Sequence, residues 1–254
     1  MNSTPLLEAR NLCAGYAGVE IVRDVSIEVW PGEVVALLGA NGAGKTTTML
    51  TLAGELKPLG GEVRLKGVPT TAPTYQRTRN GMGFVTEERS VFFNLTTRQN
   101  LAVGRADIAK ATALFPELEP LMSRRGGLLS GSEQQMLTLG RALSRDTDLL
   151  LADELSLGLA PKTVGRLLRS VRAAADGGVG ALLVEQHVHR VLEIADRVYL
   201  LHQGRIEFTG TADEARTSLD EIQATYLAAR RSAGEAVATT ATTASPARST
   251  DDHA

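Results

Sequence analysis

The run Gly39-Ala-Asn-Gly-Ala-Gly-Lys45-Thr46 has the spacing G-x-x-x-x-G-K-[ST]. Glycines so placed let successive backbone N–H groups curl around phosphate oxygens, and a helix starting directly behind them adds positive potential. Lys45 is then positioned to reach the β- and γ-phosphates of a nucleotide, and the Thr46 hydroxyl to ligate Mg²⁺. The expected binding set is Gly39, Asn41, Gly42, Ala43, Gly44, Lys45, Thr46 and Thr47. A second constellation, Leu149-Leu-Leu-Ala-Asp153-Glu154, is an apolar run that ends in two carboxylates. Asp153 is expected to hold Mg²⁺ through its water shell, and Glu154 to orient and deprotonate an attacking water. Each motif alone has a plain structural explanation: a glycine-rich turn with a surface lysine, or an acidic pair capping a strand. Their co-occurrence points to nucleotide binding with Mg²⁺ and to phosphoryl chemistry, which kinases, GTPases and transport ATPases share.

These residues need a scaffold that alternates strands and helices. Val25–Val29, Val34–Leu38, Glu62–Lys66, Met82–Val85, Leu149–Asp153, Ala181–Glu185 and Arg197–His202 read as short strands. Pro161 opens a helix with an apolar stripe, Val164, Leu167, Leu168 and Val171, and Gly177-Gly178 closes it. Met136, Leu139 and Leu143 form a similar stripe behind Ser130-Gly131-Ser132. The pattern predicts a layered α/β domain in which both stripes pack on a sheet. Between about residues 96 and 125 strand signals vanish, and short helical patterns broken by Pro116 and Pro120 predict a small inserted helical subdomain. From Ser232 onward Ala, Thr and Ser dominate, with Val237 the one large apolar residue. Such a tail, 232–254, is expected to be disordered and dispensable, which leaves 1–231 as the folded domain.

Composition excludes several classes. With 254 residues, 43% hydrophobic and 22% charged, the chain is long enough to bury a sizeable core. A net charge of −2 offers no global electrostatic case for nucleic acid. Cys13 is the only cysteine, so no internal disulfide is available. The first ten residues lack a basic stretch followed by an apolar core, so no secretory signal is expected, and no apolar run approaches the roughly 20 residues of a membrane span. A cytoplasmic protein is expected; any membrane work needs another subunit to cross.

Leu129-Ser130-Gly131-Ser132-Glu133-Gln134-Gln135 resembles the signature motif of the ATP-binding cassette (ABC) family and lies, as in that family, shortly before the acidic strand. Ser130 and the N–H groups opening the next helix would form a second phosphate cradle. The resemblance runs from about Leu6 to Ala229 and is strongest to the ATPase subunits of branched-chain amino acid importers. It is carried by Val34–Thr48, Glu133–Met136 with Gly140–Leu143, Ser156-Leu-Gly-Leu-Ala-Pro161 and Val184-Glu-Gln186. It implies a P-loop NTPase core with an inserted helical subdomain and an N-terminal antiparallel β portion. Two such subunits would sandwich two ATP molecules, each held between the P-loop of one and Ser130, Gly131 and Ser132 of the other. Membrane-spanning permeases, and through them a solute-binding protein, would complete the transporter on the cytoplasmic face.

The same resemblance implies that Tyr16 stacks on adenine, that Glu87 contacts Mg²⁺ from the position usually held by glutamine, and that Gln186 stands at the switch histidine. Glu87 and Gln186 are expected to join Lys45 and Glu154 in catalysis. Ser132 replaces the second signature glycine, and Leu155 the proline usual after the catalytic glutamate. These exchanges motivate a second reading, an ATP-closing dimerisation module with weak hydrolysis. Glu154 argues against it.

Overall fold

The computed structural model describes residues 4–185 and 188–217. Gln186 and the 232–254 tail therefore lie outside the described residues.

The chain opens with β1 (Leu7–Tyr16) and β2 (Val19–Val29), an antiparallel hairpin turned at Ala17 and Gly18, both with positive φ. That backbone matches the right-handed twist of the flanking strands. β3 (Val34–Leu38) runs into the glycine-rich loop and α1 (Lys45–Ala53). β4 (Gly60–Leu65) and β5 (Val68–Pro69) return to the hairpin and complete a four-stranded sheet of order β2-β1-β4-β5. After α2 (Thr74–Arg79) comes β6 (Met82–Val85), then α3 (Thr97–Val103), α4 (Ile108–Leu114) and a 3₁₀ helix, Pro116–Leu121. α4 ends just before Pro116, which opens the 3₁₀ helix as its first residue, so the expected interruption falls there, whereas Pro120 lies inside the 3₁₀ helix without breaking it.

The remaining elements are α5 (Gly131–Leu143), β7 (Leu149–Asp153), α6 (Pro161–Asp176), β8 (Gly180–Val184), α7 (Val188–Leu192), β9 (Arg197–His202), β10 (Arg205–Thr211) and α8 (Ala212–Thr217). β6, β7, β8, β3 and β9 are parallel, and antiparallel β10 finishes a six-stranded sheet of order β10-β9-β3-β8-β7-β6.

Alternation along the strands divides the core in two. Val34, Ala36 and Leu38 of β3, with Leu150 and Ala152 of β7, pack on the stripes of α5 and α6. Val35 and Leu37, with Leu149 and Leu151, face the other way onto α1 and the four-stranded sheet. Both faces are covered, which is why these strands read as continuous apolar runs. The glycine-rich loop is stitched to both sheets by backbone hydrogen bonds. Gly204 N–H, in the β9–β10 turn, donates to Ala43 O at 2.9 Å, and Arg23 N–H of β2 donates to Gly204 O at 2.7 Å.

Candidate functional site

At the C-terminal ends of β3 and β7 lies a cleft of ≈ 410 Å³ lined by Asn41, Gly42, Gly44, Lys45, Thr46, Thr47, Glu87, Glu154, Ile21 and Leu157. Ligands in open parallel sheets bind at this end of the strands. A larger cavity of ≈ 580 Å³ sits at the opposite ends, where β6 and β7 begin. Its Lys66 and Asp148 pair with each other at 2.6 Å, and its Arg77 is engaged by the carbonyls of Ala72 and Leu52. The smaller cleft is the one with chemistry converging on it.

Two glycines shape the loop. A Cβ on Gly39 would lie 2.4 Å from Leu201 O, so only glycine fits against β9. Gly44 starts α1 at φ 106, a conformation costly for any residue with a side chain. α1 has no side-chain cap and no acid in its first turn, so its first N–H groups and positive end stay open. Lys45 is buried, and its ammonium donates to Gly39 O at 2.8 Å and Ala40 O at 3.1 Å, folded over the cradle. Burial lowers its pKa, while Glu154 and Asp153 pull it back up.

Asp153 ends β7 in the core, 4% exposed. Burial pushes its carboxyl up to about 6, against a hydrogen bond from Thr46, with Glu154 and Glu87 adding to the rise. Asp153 Oδ1 has no hydrogen-bond partner among the described residues. A buried, orphaned carboxylate oxygen beside a hydroxyl, with a second carboxylate at the cleft wall, suits a hard cation. No cluster of three or more acidic, His or Cys groups able to hold a metal occurs among the described residues. Glu154 follows in the left-handed region at φ 50, its N–H bonded to Val184 O at 2.8 Å. A non-glycine residue held there stores about 1–3 kcal/mol of strain, a pattern that clusters at functional sites.

The other expected residues lie outside this cleft. Tyr16 ends β1 with its side chain half exposed, on the same hairpin that brings Ile21 to the cleft. Ser130 caps α5: its hydroxyl accepts from Glu133 N–H at 3.3 Å, and Glu133 Oε2 accepts from Ser130 N–H at 2.6 Å. Gly131 begins that helix, and the Ser132 hydroxyl is turned to Thr163 Oγ1 at 3.4 Å.

A family model described as ABC transporter matches residues 22–156. The branched-chain amino acid transport ATP-binding protein BraG of Pseudomonas aeruginosa is 38% identical, over 84% of this chain and 95% of BraG. The lipopolysaccharide export ATP-binding protein LptB of Acidithiobacillus ferridurans is 34% identical, over 82% of this chain and 91% of LptB. A solved ATP-binding subunit of an ABC transporter superposes with a TM-score of 0.77 at 28% identity, covering 87% of this chain and 99% of that one. The chain belongs to the ABC transporter family. It is an ABC ATPase subunit, of a kind that works in pairs with membrane permeases, and no helix among its described residues is long and apolar enough to cross a membrane itself.

Two polar residues near the ABC cleft escaped the sequence reading. Glu185, 1% exposed, accepts from Ser156 Oγ at 2.5 Å, and burial pushes its carboxyl up to about 7. Arg89 donates to Leu157 O at 3.2 Å. The signals were there, a charged residue at the end of an apolar strand and an arginine two positions after Glu87. Neither could be weighed without knowing which loops meet.

Proposed function

We propose that this ABC subunit hydrolyses ATP to drive import of branched-chain or related amino acids, on the cytoplasmic face beneath permease subunits fed by a solute-binding protein. It works as a face-to-face pair, with each ATP held between the P-loop of one subunit and Ser130–Ser132 of the other. The observation that carries the hydrolytic part is the convergence of the P-loop, Glu87 and Glu154 on one cleft, with Asp153 Oδ1 unpartnered beneath Thr46.

In this reading the N–H groups of residues 41–47 and the Lys45 ammonium bind the phosphates, exchanging the Gly39 and Ala40 carbonyls for stronger charged acceptors. Thr46, Asp153 and Glu87 would hold Mg²⁺, which supplies charge neutralisation on the phosphates. Tyr16 stacks on the base. Glu154 takes the proton of the attacking water, and its left-handed backbone fixes the direction in which its carboxylate leaves β7. Gln186 donates a hydrogen bond to the γ-phosphate, without the charge a histidine would add.

Replacing Glu154 by Gln keeps the shape and removes the base, and loss of a positioned base costs about 10²–10⁴-fold in rate. Glu154→Gln should therefore stop turnover yet accumulate an ATP-bound dimer, seen as doubled mass in size exclusion with Mg·ATP. Equal turnover by wild type and variant, measured with the same membrane partners, would remove Glu154 from the role. Substrate class is supported by the likeness to BraG and by the Ser156–Pro161 and Val184–Gln186 runs. The likeness to LptB favours a second reading, lipid export. Uptake of labelled leucine by the reconstituted transporter separates the two.

A further inference from the structure

The loop after Glu154, Leu155–Gly158, is anchored at two consecutive residues by side chains from two different loops. Ser156, 4% exposed, donates its hydroxyl to Glu185 Oε2 at 2.5 Å. Leu157, which itself lines the nucleotide cleft, offers its carbonyl to Arg89 Nη2 at 3.2 Å. Arg89 stands two residues after Glu87, and Glu185 one residue before Gln186. The residues beside the proposed Mg²⁺ contact Glu87 and the proposed γ-phosphate contact Gln186 thus each send a charged side chain onto the loop that begins at the proposed base.

Both anchors are built at a cost. Arg89 and Ser90 hold positive φ, 58° and 33°. α5 keeps them there: Thr138 Oγ1 donates to Arg89 O at 2.6 Å, and Arg141 Nη2 to Ser90 O at 2.6 Å. The Arg89 guanidinium then lies over the start of α5, where a Cβ on Gly131 would come within 2.9 Å of Nη1. Glu185 is buried with Oε1 unpartnered among the described residues, so the fold retains a desolvated carboxyl for its bond to Ser156. Glu154 is strained at the loop's entrance, Leu155 packs into the core, and the two tethers take hold at the next two residues.

We propose that Arg89 and Glu185 are positioning residues. They tie Leu155–Gly158 to Arg89 after β6 and to Glu185 at the end of β8, and so hold Glu154 in working geometry. This rests on the general-base reading of Glu154. The chain's own P-loop contacts need neither tether, so the inference separates turnover from nucleotide affinity.

The test uses the full-length chain, with ATPase rate against Mg·ATP concentration, ADP affinity and thermal midpoint measured for each variant. A displacement of about 1 Å can cost about 10²-fold in rate, so Arg89→Ala and Ser156→Ala should each lower kcat by about 10- to 100-fold, with KM, ADP affinity and melting midpoint near wild type. Glu185→Gln keeps an oxygen for the Ser156 hydroxyl and should retain kcat, whereas Glu185→Ala should not. Because both tethers hold one segment, Arg89→Ala with Ser156→Ala should lose little more than the worse single variant. Unchanged kcat in both alanine variants overturns the proposal. So does a kcat loss matched by equal losses of ADP affinity and melting midpoint, which marks a merely structural role. Either failure would leave wild-type turnover and its loss in Glu154→Gln intact. A wild type that does not turn over even with its membrane partners would overturn the general-base reading and this proposal together.

Discussion

The two helices whose N-termini are proposed to face phosphate start in opposite ways. α1 begins at Gly44 with no side-chain cap and no acid in its first turn, and Lys45 adds a cation at the same place. α5 begins at Ser130 with a complete capping box, and Glu133 already holds an N–H of the helix start and neutralises part of its dipole. The first cradle is charged and open within a single chain. In the second, an arriving phosphate must compete with a carboxylate the protein itself supplies. Nucleotide affinity is therefore expected to belong to the monomer's α1 side, and the α5 side to contribute only when a partner closes.

The sharpest way to break this contrast is Lys45→Ala. Removing one partner of a desolvated charged contact costs about 2–5 kcal/mol, so ATP titration of the variant should show binding weakened by one to several orders of magnitude. Wild-type affinity would mean the open helix end is not the phosphate site. Tyr16→Ala comes next. Base–aromatic stacking is worth about 1–3 kcal/mol, and Tyr16→Trp should keep most of it. Identical affinity for all three proteins in isothermal titration would place the base elsewhere.

A smaller effect sharpens the other side. Loss of an N-cap costs about 0.5–2 kcal/mol of stability. Ser130→Ala should therefore lower the melting midpoint by a few degrees while leaving monomer ADP affinity unchanged. A drop in ADP affinity would show that the two cradles are not independent.

The smallest signal is a slope. Glu185 sits at about 7 in the fold, above its ordinary 4.5, so the native state holds a proton that the unfolded chain releases. The stability linked to that proton is fully present below about pH 4.5 and is lost as pH rises through about 7. Asp153, at about 6, acts with the same sign. Glu185→Gln should flatten the fall in melting midpoint across that window without abolishing it.

Much of the core was legible because it is local. Val34–Leu38, Met82–Val85, Leu149–Asp153 and Arg197–His202 form strands with the bounds the apolar runs predict, and α6 runs from Pro161 to the residue before Gly177. β1 and β10 were not legible. β1 carries three register irregularities against β2, with Asn11 at φ 48, which scrambles its alternation. β10 is exposed at every second residue and includes Gly210. The reading also started β2 at Val25 rather than Val19 and ended β8 at Glu185 rather than Val184. The first part of β2 takes its conformation from pairing with β1, not from an apolar pattern of its own. In the site, the P-loop and the Asp153-Glu154 pair were readable because each is continuous in sequence. The Arg89–Leu157 and Ser156–Glu185 contacts join residues 68 and 29 positions apart and belong to the topology.

The hydrogen-bonded chain from Ala43 O through Gly204 to Arg23 has a practical consequence. Gly204 sits in the β9–β10 turn and does not itself line the cleft, yet its amide is bonded to the loop that wraps the phosphates. Its hydrogen–deuterium exchange rate is thus a built-in gauge of loop order, readable without a label or an engineered probe. Phosphate occupancy that stiffens the loop should slow exchange at this one amide, even where no residue of the turn touches the nucleotide.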